Sequence, residues 1–355
     1  MLKLGSSPFM FRISAGNQKH FLHKSTLSKE FKNLLASVLI MRLCIRKSNI
    51  IKKEKHMKKR IISVLLALVF TLSFLVACGT GGNGSNDLQS IEITDSLGRN
   101  ITLDAPAQEV ISFGPADTSI IIALGEWDRL VARTMFDTQE EIASLPEVDG
   151  FNVSVEQIIT IMPEVIFAPP GMDDGIVTQL EAVGITIIFL NAAVIEDIYT
   201  KIGIISAVLG VSEKGTAMNQ EIRSGLAEVA ANAPAVGINV YIELDTFGGF
   251  WSAGSNTFMN EILEIAGGTN IFSDINGAWI NVSEEQVIAA NPAIIIVSDF
   301  GFADNLIGAV IERAAWGEID AVRGGRVYAI DANLLNQANQ NIVQLAQLLQ
   351  EMFGE

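Results

Sequence analysis

Seventeen residues of this chain are written twice. Residues 152–168, NVSVEQIITIMPEVIFA, return at 281–297 as NVSEEQVIAANPAIIIV, with eight identical positions that include Ser154/Ser283, Glu156/Glu285, Gln157/Gln286 and Pro163/Pro292. The copies lie 129 residues apart, so each belongs to its own domain, and two similar domains in one chain imply a cleft between them. Within each copy, Ser followed three residues later by Gln has capping-box spacing and predicts a helix start. Glu156 and Glu285 then fall at the second helical position, where a carboxylate faces the positive end of the helix dipole. Pro163 and Pro292 end the helix, because the residue before a proline resists helical backbone angles. The apolar runs 165–168 and 294–297 read as buried parallel strands. Helix-start electrostatics, about 0.3–1 kcal/mol, is the plain explanation of one such glutamate. The same placement in both halves suggests a third party that touches both halves at once.

The chain does not read as folded protein throughout. Met57-Lys58-Lys59-Arg60 opens a basic stretch, 61–74 is apolar, and Leu75-Val76-Ala77-Cys78 closes it. That order is an export signal over 57–77, with an apolar core too short for a comfortable membrane span. Leu-Val-Ala-Cys resembles the lipobox of bacterial lipoproteins, which implies cleavage before Cys78 and diacylglycerol on its thiol; ordinary secretory cleavage beside an incidental cysteine is the alternative. Residues 1–56 are expected to be an upstream extension from a misassigned start, with translation beginning at Met57; a cytoplasmic extension is the other reading. Residues 78–89, rich in Gly, Ser and Asn, are a flexible tether.

Charge narrows the partners. From Cys78 onward the chain has nine Lys and Arg against 38 Asp and Glu, a formal net charge of −29. So acidic a surface repels nucleic acid and anionic membranes alike, leaving lipid as the means of attachment. The three histidines precede residue 57, and Cys44 precedes the cleavage site. The exported part therefore has neither a structural disulfide nor an imidazole to ligate heme or a bare metal ion. It also lacks a G-x-S-x-G elbow and a P-loop. Those gaps argue against an enzyme, although a pair of carboxylates acting as a hydrolase stays formally open.

The remainder alternates strand and helix, predicting an α/β fold with parallel sheets. Strands are expected at 90–94, 101–103, 110–113, 130–133, 165–168, 186–190, 236–244, 294–298 and 327–330. Helices are expected at 118–124, 156–162, 175–183, 195–209, 212–232, 257–266, 306–313 and 340–352. The helix from Ser212 to Pro234 lies between the halves, so the expected lobes are 90–210 and 235–355, with 211–234 as a helical connector that limits hinge motion.

Six segments in order, DSLGRNITL from Asp95, PEVIF from Pro163, WSAGSNTF from Trp251, ILEIAGGTNIF from Ile262, NVSEEQVIAANP from Asn281 and GRVYAID from Gly325, resemble one family. It is the iron-siderophore, heme and cobalamin class of ABC-transporter substrate-binding proteins, and the likeness covers about residues 90–355. The resemblance implies two Rossmann-like lobes joined by a single long α-helix, a ligand clasped between them, and delivery to permease subunits driven by a cytoplasmic ATPase. It implies a monomer at the extracytoplasmic face of a bacterial membrane, lipid-anchored, with no cofactor or resident metal. It makes Glu156 and Glu285 the acidic residues that dock on permease arginines.

By position, the resemblance puts ligand contacts on loops at the strand ends. These are Ser112, Gly114, Pro115, Phe136, Pro169 and Met172 in the first lobe. In the second they are Phe247, Phe250, Trp251, Trp279, Asp299 and Phe300. Aromatics that simply cap the lobes are the alternative at each of these sites. Where siderophore binders often carry arginines, this chain has none from 224 to 312 and reads LNQANQN over 335–341. Desolvating an anionic chelate without a counter-charge is costly, so the expected ligand is neutral or cationic: a hydroxamate-type ferric complex, a corrinoid or another chelate with an apolar exterior. A surface scaffold that inherited the fold is the alternative function.

Overall fold

The computed structural model describes residues 90–302 and 305–354. The extension, the export signal, Cys78 and the tether lie outside them. No helix among the described residues is long and apolar enough to cross a membrane.

An antiparallel hairpin, β1 (Ile91–Thr94) and β2 (Asn100–Leu103), opens the described chain. Its turn is organised by Asp95, whose carboxylate accepts from the Leu97 and Arg99 amides, from Arg99 Nε at 2.8 Å and from the distant Phe189 amide at 3.3 Å. Burial alone raises the Asp95 pKa, but the Arg99 amide, the Arg99 guanidinium and the Phe189 amide outweigh it, and the carboxyl sits below its ordinary value.

The first lobe contains β3 (Val110–Ser112), α1 (Pro115–Ala123), α2 (Val155–Ile161), β4 (Val165–Ala168), α3 (Asp174–Glu181), β5 (Thr186–Phe189) and α4 (Ile195–Val208). Its strands pair in parallel in the order β3-β4-β5. They are covered on both faces, which is why they read as unbroken apolar runs. The strand expected at 130–133 reduces to single bridges, Val110 with Leu130 and Arg133 with Glu147. A 3-10 turn, Trp127–Arg129, precedes it and the Thr134 turn follows, leaving no room for a longer ladder.

Helix α5 (Ser212–Ala231) follows. Its N-cap is Val211, without a side-chain cap, so Ser212 is its first residue rather than the cap. The second lobe contains β6 (Ile238–Glu243), β7 (Phe250–Ala253), α6 (Phe258–Ala266), β8 (Gly268–Asn270), β9 (Trp279–Val282), α7 (Glu284–Ala290), β10 (Ile294–Asp299), α8 (Leu306–Ile311), α9 (Asp320–Arg323), β11 (Val327–Asp331), α10 (Ala332–Leu335) and α11 (Ile342–Gly354). Four strands form a parallel sheet in the order β11-β10-β6-β8, while β7 and β9 pair antiparallel beside it. The residues around Trp251, expected as loop, are therefore strand.

The lobes share apolar packing. One continuous cluster runs from Val110 and Phe167 through Ile202 on α4 and Leu226 on α5 to Ile262 and Leu345. Helix α5 lies against α4 on one side and against α6 and α11 on the other. It is tied to each: Asn219 Nδ2 donates to the Tyr199 carbonyl at 2.9 Å, and Gln350 Nε2 donates to the Val229 carbonyl at 2.7 Å. Opening the cleft by a wide hinge would expose this core to water, so large closure motions are disfavoured.

Candidate functional site

A cavity of about 670 Å³ opens between the lobes at the carboxyl ends of β10 and β11. The first lobe contributes Pro115, Met135, Phe136 and Thr138 to its walls; the second contributes residues 299–302, Asp331, Ala332, Asn333, Asn336 and Gln337. Its size is that of a small-molecule site, and it follows the rule that ligands of open α/β sheets bind beyond the strand ends.

Local chemistry pushes the aromatics into this space. Asp137 Oδ2 accepts from the Thr134 amide at 2.6 Å and the Thr134 hydroxyl at 2.8 Å, a tight turn that leaves Met135 and Phe136 facing outward. Phe136 is 44% exposed and meets Phe151 edge-on at 5.6 Å. Across the cleft, Asp299 Oδ1 accepts from the Gly301 amide at 2.8 Å, and Gly301 takes a φ of +74°, a backbone angle suited to glycine. That turn presents Phe300, 51% exposed, and Phe302, 93% exposed, as parallel rings 6.4 Å apart.

Four of the twelve residues expected to touch ligand line this cavity: Pro115, Phe136, Asp299 and Phe300. The others are placed differently. Ser112 is buried and donates to the Gly114 carbonyl. Gly114 precedes α1 where a β-carbon would come within 2.8 Å of Asp117 Oδ2, so close approach alone requires glycine there. Asp117 is fully buried at 2.8 Å from Lys201 Nζ, which fixes the end of α1 that carries Pro115. Burial raises the Asp117 pKa, and Lys201 opposes the rise. Pro169 is exposed, and Met172 packs on the apolar core of the first lobe. Phe250 faces the second-lobe core, its ring 6.0 Å from that of Trp316, with the Arg313 guanidinium over both.

Phe247, Trp251 and Trp279 are exposed on or beside the two-stranded β7–β9 sheet. The Trp251 indole donates to the Phe247 carbonyl at 3.1 Å. The preceding residues, Asp245 and Thr246, border a smaller pocket that shares Asp299, Phe300 and Phe302 with the main cavity.

Residues 331–337 were not among the expected contacts. The resemblance implies Asp299 at the end of β10, and the strand-end position is shared by β11, whose last residue is Asp331. Asp331 caps α10 through the Asn333 amide at 2.7 Å, and Asn336 Nδ2 donates to Ser298 Oγ at 2.7 Å. Just beyond, Gln340 Nε2 donates to Ser119 Oγ at 2.9 Å, a direct hydrogen bond between the lobes.

The electrostatics of the cavity are one-sided. Of the nine Lys and Arg after Cys78, eight pair with carboxylates elsewhere: Arg99, Arg129, Arg133, Lys201, Lys214, Arg223, Arg313 and Arg323. The ninth, Arg326, donates to the Met352 carbonyl. None lines the cavity among the described residues. Nor do three or more His, Cys, Asp or Glu side chains converge among those residues as a bare metal ion needs.

The sequence repeat is a structural repeat too. Each copy begins at a serine cap, Ser154 Oγ accepting from the Gln157 amide and Ser283 Oγ from the Gln286 amide, both at 3.3 Å. Each ends on a left-handed residue before its proline, Met162 at φ 58° and Asn291 at φ 43°. Only the second copy completes the capping box, with Gln286 Oε1 accepting from the Ser283 amide; in the first, Gln157 Nε2 donates to the Glu147 carbonyl instead. Glu156 and Glu285 are both exposed, and neither carboxylate meets a basic side chain among the described residues. The Ser283 hydroxyl and the backbone amide of Glu285 hold the Glu285 carboxyl below its ordinary pKa, so it stays ionised.

A sequence model described as "Periplasmic binding protein" matches residues 110–334. An uncharacterized ABC transporter substrate-binding lipoprotein of Bacillus subtilis (strain 168) is 27% identical over 311 residues, covering 83% of this chain and 97% of that protein. A cobalamin-binding protein of Halobacterium salinarum is 28% identical over 264 residues, 70% of each chain. The crystal structure of the periplasmic vitamin B12 binding protein of Vibrio cholerae superposes with a TM-score of 0.60 at 25% identity, covering 70% of this chain and 97% of that one.

Proposed function

The chain belongs to the periplasmic binding protein family, and from that premise we propose that it is the substrate-binding lipoprotein of an ABC importer for a bulky metal chelate. The observation that carries the reading is the aromatic cavity of about 670 Å³ formed by side chains of both lobes. It is far larger than a bare ion needs, and its walls carry mainly rings and amides, with two carboxylates, Asp299 and Asp331. A corrinoid or a hydroxamate-type ferric complex, neutral or cationic, suits it. The cobalamin-binding name of one relative supports the corrinoid.

Capture works by burying the chelate's apolar exterior against Phe136 on one side and Phe300 and Phe302 on the other, while Asn333, Asn336 and Gln337 offer hydrogen bonds. The shared core keeps the lobes near one geometry, so the loaded and empty forms differ little in shape. Recognition by the permease then depends on Glu156 and Glu285, one on each lobe, each exposed at a helix start for arginines of a permease subunit whose partner ATPase supplies the energy. Such rim charges set orientation and encounter rate more than affinity. Lipid on Cys78 holds the monomer at the extracytoplasmic membrane face. On this reading the protein binds and delivers, and catalyses nothing.

The test is a tryptophan-fluorescence titration of the purified protein against cobalamins, ferric hydroxamates and heme. Saturable one-to-one quenching by a cobalamin or a hydroxamate supports the reading. Absence of binding across all three classes contradicts it.

A further inference from the structure

Asp299 and Asp331 end neighbouring parallel strands and are direct partners in the β10–β11 register. Both line the cavity between the lobes. Each uses one carboxylate oxygen for a backbone amide, Asp299 for Gly301 and Asp331 for Asn333, which fixes the side chain and leaves the second oxygen free of those bonds. Asn336, in the same wall, has a buried Oδ1 with no hydrogen-bond donor. The rings of Phe136, Phe300 and Phe302 add faces that attract cations. The described part of the cavity thus offers acceptors and ring faces, and every lysine and arginine after Cys78 is held elsewhere.

We propose that Asp299 and Asp331 form a charge selector that makes the cleft prefer a positively charged chelate over a neutral one and reject an anionic one. The inference rests on the cleft being the ligand site. The register sets Asp299 and Asp331 side by side on adjacent strands, so a cation in the cleft is attracted by both carboxylates. An anion entering the same space meets both charges and no counter-charge. The selector need not bond to metal; it acts on the net charge and donors of the chelate's exterior.

Two charge series on fixed scaffolds test this with the intact protein. One is aquacobalamin, cyanocobalamin and a cyanocobalamin monocarboxylic acid, titrated below neutral pH so that the aquo ligand stays protonated. The other is ferrioxamine B with its free amine, N-acetylated, or N-succinylated. In each series the charge runs from positive through neutral to negative. In the series that binds, affinity should fall by about tenfold per unit of charge, the order that Coulomb's law gives for two carboxylates in a water-facing cleft. Asp299→Asn with Asp331→Asn should flatten that order to within about twofold. Asparagine retains the acceptor for both backbone amides, so the turns survive the change. Equal binding of all three members by the wild type overturns the selector and leaves the cleft reading standing. A charge order unaltered in the double variant assigns selection to other residues and also overturns it. Binding of neither series removes the cleft reading and the selector together.

Discussion

Replacing Phe136 by alanine removes an aromatic wall from one lobe, and replacing Phe300 removes one from the other. Phe136 is 44% exposed and Phe300 is 51% exposed. A phenylalanine side chain offers about 200 Å² in all, so each ring leaves about 100 Å² to be covered by a ligand. At about 25 cal/mol per Å² that is about 2–2.5 kcal/mol per ring, or roughly a 30- to 70-fold loss of affinity. Because the rings stand on opposite lobes without touching, the double variant should lose close to the product of the two. The assay is a fluorescence or calorimetric titration with the tightest chelate found, alongside thermal melting. Melting should barely move, since neither ring belongs to a core cluster. Phe250→Ala is the contrasting variant: its ring packs toward Trp316 and Arg313, so it should lower the melting temperature. A loss below about threefold for both Phe136→Ala and Phe300→Ala, with folding intact, would refute the two-walled cleft.

Arg313→Ala should destabilise the protein by about 3–5 kcal/mol in denaturant titration, because it leaves the buried Glu243 without its paired guanidinium at 2.5 and 2.6 Å. Met162→Asn should stabilise by about 1 kcal/mol, since Met162 is held in the left-handed region that its repeat partner Asn291 occupies at less cost. Asp95→Asn tests linkage: a carboxyl held below its ordinary pKa contributes stability above the unfolded value near pH 4 and loses it as pH falls through the folded value. The stability gap between wild type and Asp95→Asn should therefore be full at neutral pH and close below about pH 4.

The repeat carried most of what could be read before the structure. Its serine caps, short helices and terminating prolines are local signals, and both copies fold accordingly. The left-handed C-caps were not legible, because Met162 gives no hint of positive φ where Asn291 does. Antiparallel pairing of β7 with β9 joins residues about thirty apart, and no local pattern in Trp251 or Trp279 declares it. Phe136 and Phe300 are legible through the family resemblance, which places ligand contacts on loops at the strand ends. Asp331 and Asn336 are not among the positions the resemblance implies, and only the pairing of β11 with β10 brings them to the same strand ends. Phe250 illustrates a deeper limit: an aromatic next to glycines looks like a ligand contact, and only the tertiary stack with Trp316 reveals that it serves the core.

On the proposed reading, delivery depends on two exposed carboxylates at matching helix starts, one on each lobe, with no basic partner among the described residues. The direct measurement is chelate uptake by cells whose only copy of the protein carries Glu156→Arg and Glu285→Arg, paired with a binding titration of the same purified variant. Uptake should cease while affinity stays within about twofold of wild type. Undiminished uptake, or affinity that collapses along with it, would contradict the assignment of these glutamates to the permease.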